Sequence, residues 1–237
     1  MPGAFRLRRR SFAPHASTPR HEHDCAYFCL IARGDGRQHS GGIARTRACG
    51  EVFFYPAGES QSETFGADGG AVFAVDFSAR VDGLPPRSHE VDGAAALLVR
   101  RLALLQADDV LDVDELATLA ASALARMRRD AMPWLEAARE YIHAHFASPL
   151  TLDEIAATAN VHPVHLCRTF PRRFGTTIGS YVRALRLDVA ARQLATTARP
   201  IAEIALDAGF SSQAHLTRHF TAQMRVSPAL YRAWVGR

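Results

Sequence analysis

Three rhythms of apolar and polar residues divide the chain. From His21 to about Ser78, short runs alternate with period two: CAYFCLIAR, EVFFYP and AVFAVDF, set apart by Gly34, Asp35 and Gly36 and by a polar stretch to Ala48. A period of two with glycine-rich turns predicts antiparallel strands in a small barrel or sandwich. Beyond that the period lengthens to a helical one. Residues 94–106 place Leu98, Leu102 and Leu105 on one face, and residues 113–129 do the same with Leu116, Leu119, Ala120, Ala123, Leu124 and Met127. Asp108 and Asp109 predict the loop between these helices, and residues 130–133 a short hinge. Residues 134–146 predict a further helix, after which one pattern occurs twice.

The two copies are LTLDEIAATANVHPVHLCRTF over residues 150–170 and RPIAEIALDAGFSSQAHLTRHF over residues 199–220. Ile155 matches Ile204, Ala156 matches Ala205, and Val161 matches Phe210; after one extra residue Leu166, Arg168 and Phe170 match Leu216, Arg218 and Phe220. A repeat of this length marks a duplicated unit. In the first copy Thr151 and Glu154 have the spacing of a capping box, which satisfies the orphan N–H groups of a helix start. Asn160 stands where the chain must turn, since asparagine tolerates a left-handed backbone. His162 and Pro163 read as cap and first residue of the next helix. Leu166, Phe170 and Phe174 form its buried stripe. The second copy repeats this grammar with Pro200, Gly209, Ser211 and Ser212, then Leu216, Phe220 and Met224. Between the copies, residues 179–196 predict one helix of about 27 Å at about 1.5 Å per residue.

A helix-turn-helix with an apolar interior also builds ordinary helical bundles. The duplication favours DNA instead, as do the residues left outside the cores: Val164, His165, Cys167, Arg168 and Arg172 in one copy, Gln213, Ala214, Thr217 and Arg218 in the other. Arginine and glutamine make paired hydrogen bonds to guanine and adenine edges, and small apolar groups meet a thymine methyl. Charge agrees with this. Residues 134–237 hold twelve arginines against seven acids, whereas residues 1–133 hold sixteen against seventeen, for a net charge of +4 over 237 residues. Arg172, Arg173, Arg183 and Arg232 are candidate phosphate contacts, which give affinity without sequence information.

The repeat, the run around residues 186–190 and the closing Ser227, Pro228, Tyr231 and Arg232 resemble the DNA-binding domain of the AraC/XylS transcription regulators over about the last hundred residues. Two positions depart from that pattern. Pro171 falls inside the first recognition helix, where it removes an N–H bond to Cys167; Arg225 stands where the family has glycine. In the N-terminal part, His21 and His23 followed by Gly34, and Gly50, Pro56 and Gly58 at G-x5-P-x-G spacing, resemble the two motifs of the cupin barrel, a sensory domain of such regulators.

These resemblances imply an α+β chain: an N-terminal antiparallel β-barrel, cupin-like, then an all-α C-terminal domain whose two helix-turn-helix subdomains are joined by a long helix. The expected parts are a flexible basic arm over 1–18, an effector-binding barrel over 19–90, a helical dimerisation and linker segment over 91–130, and the DNA-binding domain over 134–237. Helices at about 163–174 and 212–224 would read successive major grooves about 34 Å apart. No metal and no cofactor are expected, because Gln61 replaces the later cupin histidine and Tyr27 or Phe28 replaces its acid, and an amide is a poor transition-metal ligand. His21, His23 and Gln61 are instead assigned to an effector pocket, with stabilisation of the barrel mouth as the other reading of His21 and His23. Cys25 and Cys29 on one strand would stand about 13 Å apart, too far for a disulfide. Expected partners are double-stranded promoter DNA, a small-molecule effector, RNA polymerase and a second copy of the chain. The apolar faces of residues 94–106 and 113–129 fit either a dimer interface or packing on the sheet. No stretch has the length and apolarity of a membrane span, so a cytoplasmic location is expected. Two other readings stay open: a metal-dependent cupin enzyme with a helical appendage, and a DNA-binding dimer without a ligand.

Overall fold

The computed structural model describes residues 5–78, 83–105, 110–126 and 132–235. The expected loop at Asp108 and Asp109, and residues 130 and 131 of the expected hinge, lie outside them. Within the described residues the strands are β1 (Phe5–Phe12), β2 (Ser17–His21), β3 (Tyr27–Ser40), β4 (Ile43–Arg47), β5 (Val52–Tyr55), β6 (Gln61–Phe77) and β7 (His89–Val91). They form one antiparallel sheet in the order β1-β6-β3-β5-β7, with β2 added to β6 and β4 added to β3.

This overturns the cupin expectation, because the sheet is not closed into a barrel. Its path ends at β1 on one side and β7 on the other, and these two do not pair among the described residues. Closure requires edge strands of matching length and stagger, and β7 has three residues. The sheet buries one face under helices instead. Phe28, Leu30, Phe54, Phe73, Val75 and Phe77 meet Ala96, Val99 and Leu102 of α1 (Gly93–Leu102) and Leu116, Ala120 and Leu124 of α2 (Val110–Arg126). The G-x5-P-x-G spacing marks turns that flank β5, where Gly50 and Gly58 have φ of 83° and 75°. Such turns serve an open sheet as well as a closed one.

The long antiparallel pair of β3 and β6 is irregular where its register slips between Ile31 and Arg33 and between Gly34 and Gly36. Gly34, at φ 78°, lies so close to the opposite strand that a Cβ would sit 2.0 Å from the Gly69 carbonyl oxygen. A second buried cluster, of Tyr27, Cys29, Ile31, Phe53 and Tyr55, is separate from the one under the helices.

Residues 5–12, expected to belong to a loose basic arm, pair with β6 along their whole length. Arg8 is ion-paired with Asp76, and Arg9 donates to the carbonyl oxygens of Ala103 (2.9 Å) and Leu105 (3.2 Å). Two of the arginines that suggested a solvated tail, Arg8 and Arg9, are cross-links, while Arg6 and Arg10 are exposed.

The rest is helical: α3 (Pro133–His145), α4 (Leu152–Thr158), α5 (Pro163–Phe174), α6 (Ile178–Thr196), α7 (Ile201–Asp207), α8 (Gln213–Met224) and α9 (Pro228–Val235). Two cores lie along α6. Leu135, Ile142, Ile155, Leu166 and Phe170 surround its start at Val182 and Leu185; Ile204, Phe210, Leu216, Phe220 and Tyr231 surround its end at Leu187, Ala191 and Leu194. Leu97 of α1 joins the second core while its neighbours Ala95, Ala96 and Val99 join the sheet's. A fully buried ion pair lies at that junction, with Arg100 Nε of α1 donating to Asp188 Oδ1 of α6 at 2.9 Å. Arg192 adds bonds to Asp188 (3.1 Å) and to Glu90 of β7 (2.6 Å). Among the described residues no helix is long and apolar enough to cross a membrane.

Candidate nucleic-acid interface

Each helix-turn-helix is set by local chemistry. At the start of α4, Glu154 N–H donates to Thr151 Oγ1 (3.3 Å) and Thr151 N–H donates back to Glu154 Oε2 (2.8 Å), a complete capping box. Asn160 takes φ 51° at the turn. His162 caps α5 by accepting the Val164 N–H on Nδ1 at 3.2 Å, and Pro163 follows at the first helical position. In the second unit Gly209 turns at φ 84°, where a Cβ would lie 2.6 Å from the Ala147 carbonyl oxygen, so glycine is required for close approach to the end of α3. Ser212 caps α8 by accepting the His215 N–H at 3.1 Å. Arg186 of α6 holds the same corner through Nε to Phe146 O (2.6 Å) and a terminal nitrogen to Ser148 O (2.9 Å).

With those frames fixed, α5 buries Leu166, Phe170 and Phe174, and α8 buries Leu216, Phe220 and Met224. Val164, His165, Cys167, Arg168, Arg172, Gln213, Ala214 and Arg218 are exposed, and Thr217 is half-buried. His165 rests against the Trp134 ring, centroids 5.1 Å apart. Helix α5 runs through Pro171 to Phe174 and closes on a left-handed Gly175, so the proline does not end it. Arg225 closes α8 in the same left-handed state at φ 62°.

Of the four candidate phosphate contacts, Arg172 and Arg183 are exposed. Arg173 is buried, with Nη2 3.4 Å from Glu136 and the cation over the Phe174 ring. Arg232 donates to the Arg199 carbonyl oxygen at 2.7 Å. These two serve the fold.

His215 and His219 were not singled out from sequence. They lie one turn apart on α8, rings 4.9 Å from each other, flanking Arg218, and His215 Nδ1 is 3.0 Å from Ser211 Oγ. Burial, with Arg183 nearby, holds His219 below the ordinary histidine range. Their i, i+4 spacing beside Arg218 was the available signal.

The three residues assigned to an effector pocket come together in a cavity of about 70 Å³, which His21, His23 and Gln61 line with Arg8, Arg10 and Arg47. Gln61 is tied into a buried chain: Tyr55 Oη donates to Gln38 Oε1 (2.6 Å), Gln38 Nε2 donates to Gln61 Oε1 (2.8 Å), and Gln61 Nε2 donates to the Tyr27 hydroxyl. Burial pushes Tyr27 and Tyr55 above the ordinary phenol value, so both stay protonated. His21 and His23 face each other with Nε2 atoms 3.2 Å apart. No three His, Cys, Asp or Glu side chains converge as a metal site among the described residues. All four cysteines are free; Cys29 is buried on β3, and Cys25 precedes that strand. A larger cavity of about 270 Å³ is lined by residues of the sheet, α1, α6 and α9, among them Phe73, Tyr231 and Trp234.

A family model described as a helix-turn-helix domain matches residues 155–233. The right origin-binding protein of Escherichia coli (strain K12) is 45% identical over 104 residues, which are 44% of this chain and 34% of that protein. The chain thus spans about a third of that relative's length. Regulatory protein SoxS of Salmonella typhimurium is 38% identical over 93 residues, 39% of this chain and 87% of that protein. A transcriptional regulator from Chromobacterium violaceum, whose crystal structure is described as AraC-type, is 31% identical, covers 44% of this chain and 94% of that one, and superposes with a TM-score of 0.42. With its C-terminal half folded as a doubled helix-turn-helix and matched over most of the SoxS sequence, the chain belongs to the AraC-type family of DNA-binding transcription regulators.

Proposed function

We propose that this chain is an effector-responsive regulator that seats α5 and α8 in two successive major grooves of promoter DNA. The observation behind this reading is that both helices bury the same register of apolar residues and leave arginine and glutamine exposed on the opposite face. The nineteen residues of α6 separate them by about 28 Å at about 1.5 Å per residue. In this reading residues 134–237 bind DNA, residues 19–90 hold the effector in the cavity at His21, His23 and Gln61, and residues 91–130 join the two. Arg168, Arg218 and Gln213 contact base edges; Val164, Cys167, Ala214 and Thr217 offer smaller contacts; His165 and Arg172 flank them. The effector acts through its difference in affinity for two arrangements of the halves. A second copy and RNA polymerase complete the proposed assembly. Because the apolar stripes of α1 and α2 are covered by the sheet, the dimer would use the outer face of α2, where Leu119 is exposed.

The test is fluorescence anisotropy on fragments that purified protein recovers from genomic DNA. Arg218→Ala is expected to lose about 1–3 kcal/mol on the preferred site and to relax preference there. Arg183→Ala is expected to flatten the salt dependence by about one unit of slope and leave preference alone. Unchanged affinity and preference in the first variant would remove Arg218 from base reading; an unchanged salt slope in the second would remove Arg183 from the phosphate backbone.

A further inference from the structure

Arg47, on β4, has an unusual set of partners. Its side chain is buried, with the cation 5.2 Å from the Phe53 ring centroid and 5.7 Å from that of Tyr55. Nη1 is paired with Glu63, Nη2 lies 3.0 Å from the Cys29 sulfur, and Nε has no acceptor. Burial pushes the Cys29 thiol up, so Nη2 meets a neutral thiol, a weak acceptor. One edge of the guanidinium, formed by Nε and Nη2, is therefore a buried donor pair with almost nothing to accept from it. A carboxylate matches such an edge with two parallel N–H···O bonds.

The rest of the cavity has the same sense of charge. Arg8, Arg10 and Arg47 line it against one carboxylate, Glu63, and Asp76 just behind is occupied by Arg8. His21 Nδ1 is 2.8 Å from the Pro19 carbonyl oxygen, which only accepts, so that nitrogen bears a proton. In the neutral pair His21 then offers the lone pair of Nε2, and His23 donates to it from its own Nε2. Phe12, Val72 and Ala74 supply apolar wall. At about 70 Å³ the space is about half that of a cavity of about 150 Å³ that holds benzene, so it suits a ligand of few heavy atoms.

We propose that this cavity binds a small carboxylate with a short alkyl tail, held by the Nε and Nη2 edge of Arg47 and by Arg10 and His23. The proposal rests on the reading of this cavity as the effector site, and it adds proton uptake. Burial, then the neighbouring His21, holds His23 below the ordinary histidine range, while Arg8 and Arg10 also oppose its charging, Asp76 favours it, and the Tyr27 ring stacks edgewise at 4.7 Å. An anion in the cavity reverses that balance and draws a proton onto the imidazole.

The experiment is calorimetric titration of the full chain with sodium propionate at constant ionic strength, between pH 8 and pH 6. Saturable one-site binding is expected, tightening with acidification by up to about tenfold per pH unit for one proton taken up. Arg47→Gln should abolish binding, Arg10→Gln should weaken it several-fold, and His23→Gln should remove its pH dependence. The last two positions are not fully buried, so they keep the test valid if the Arg47 variant misfolds. Propionate indistinguishable from chloride, binding unaffected by Arg10→Gln and His23→Gln, or inorganic phosphate bound in preference would each overturn the carboxylate assignment. If erythritol, a neutral polyol, raises the melting temperature saturably and Gln61→Ala abolishes that effect while propionate does nothing, the anion proposal falls and the effector reading stands. If neither probe binds, both fall.

Discussion

Arg225 occupies a backbone state that costs an ordinary L-residue about 1–2 kcal/mol, at φ 62° after the last turn of α8. Glycine removes that strain but gives back about 0.4–1 kcal/mol through the freer unfolded chain. Arg225→Gly is therefore expected to stabilise the protein by less than about 1 kcal/mol, read as a higher urea midpoint at an unchanged slope. A lower midpoint would mean that the arginine side chain, rather than its backbone, matters there. His89 on β7 carries a cost of a different sort. Burial holds it below the ordinary value of about 6.5, although Nδ1 lies 3.2 Å from the Arg87 carbonyl oxygen and donates to it. Above that value both folded and unfolded chains hold it neutral. As pH falls below about 6.5 the unfolded chain takes the proton first, so stability is lost progressively until the folded state protonates as well. His23, His143 and His219 are shifted the same way by burial. Urea midpoints at pH 7 and pH 5 should thus fall with acid, and His89→Gln should make the fall shallower; an identical fall would exclude His89 as a contributor.

At the scale of elements, the decisive contact is the one between α1 and α6. Arg100 and Asp188 are both fully buried, and neither terminal nitrogen of Arg100 finds a hydrogen-bond partner of normal geometry, although the Tyr231 phenol is close by. An ion pair so enclosed adds little net stability, yet removing one member leaves a charge with no water and no counter-ion. Asp188→Ala is expected to cost about 3–5 kcal/mol, whereas replacing both residues by apolar side chains of similar volume should recover most of it. Denaturant unfolding of the single and double variants decides this, and Asp188→Ala losing less than about 1 kcal/mol would show that Glu90 relaxes to cover the loss. Nothing in the sequence announced this pair, because its members are 88 positions apart and each alone resembles a solvated charge. The helix-turn-helix units were legible for the opposite reason. Their caps, turns and stripes are fixed by residues three to eight positions apart, and Thr151, Asn160, Pro163, Gly209 and Ser212 do what their chemistry suggested. The sheet falls between these cases. Period two revealed strands, but whether the first and last strands meet depends on long-range pairing, and the turn glycines at Gly50 and Gly58 are compatible with either answer. The arginines of β1 concealed a strand, since Asp76 and the carbonyl oxygens of Ala103 and Leu105, which hold Arg8 and Arg9, lie 68 to 96 positions away.

For the whole molecule, α5 and α8 are carried by one rod rather than by two chains on a flexible tether. Each is packed onto α6 through its own core, the first around Val182 and Leu185, the second around Leu187, Ala191 and Leu194. The same rod is fastened to α1, which packs on the sheet, by Arg100, and to β7 by Arg192. Moving α5 relative to α8 would require breaking α6 or emptying one of these cores, since packed interiors do not deform continuously. That rigidity makes a prediction about DNA. Inserting five base pairs between the two half-sites rotates the second groove by about half a turn and moves it by about 17 Å, at roughly 34 Å per turn. Inserting ten restores the facing but adds about 34 Å, which the α6 rod cannot span. Both insertions should reduce affinity to that of a single half-site, measured by anisotropy at fixed salt. A protein with flexibly joined readers would recover at ten base pairs. Recovery here would mean that α5 and α8 engage DNA independently, and the proposal of two grooves read by one rigid unit would fail.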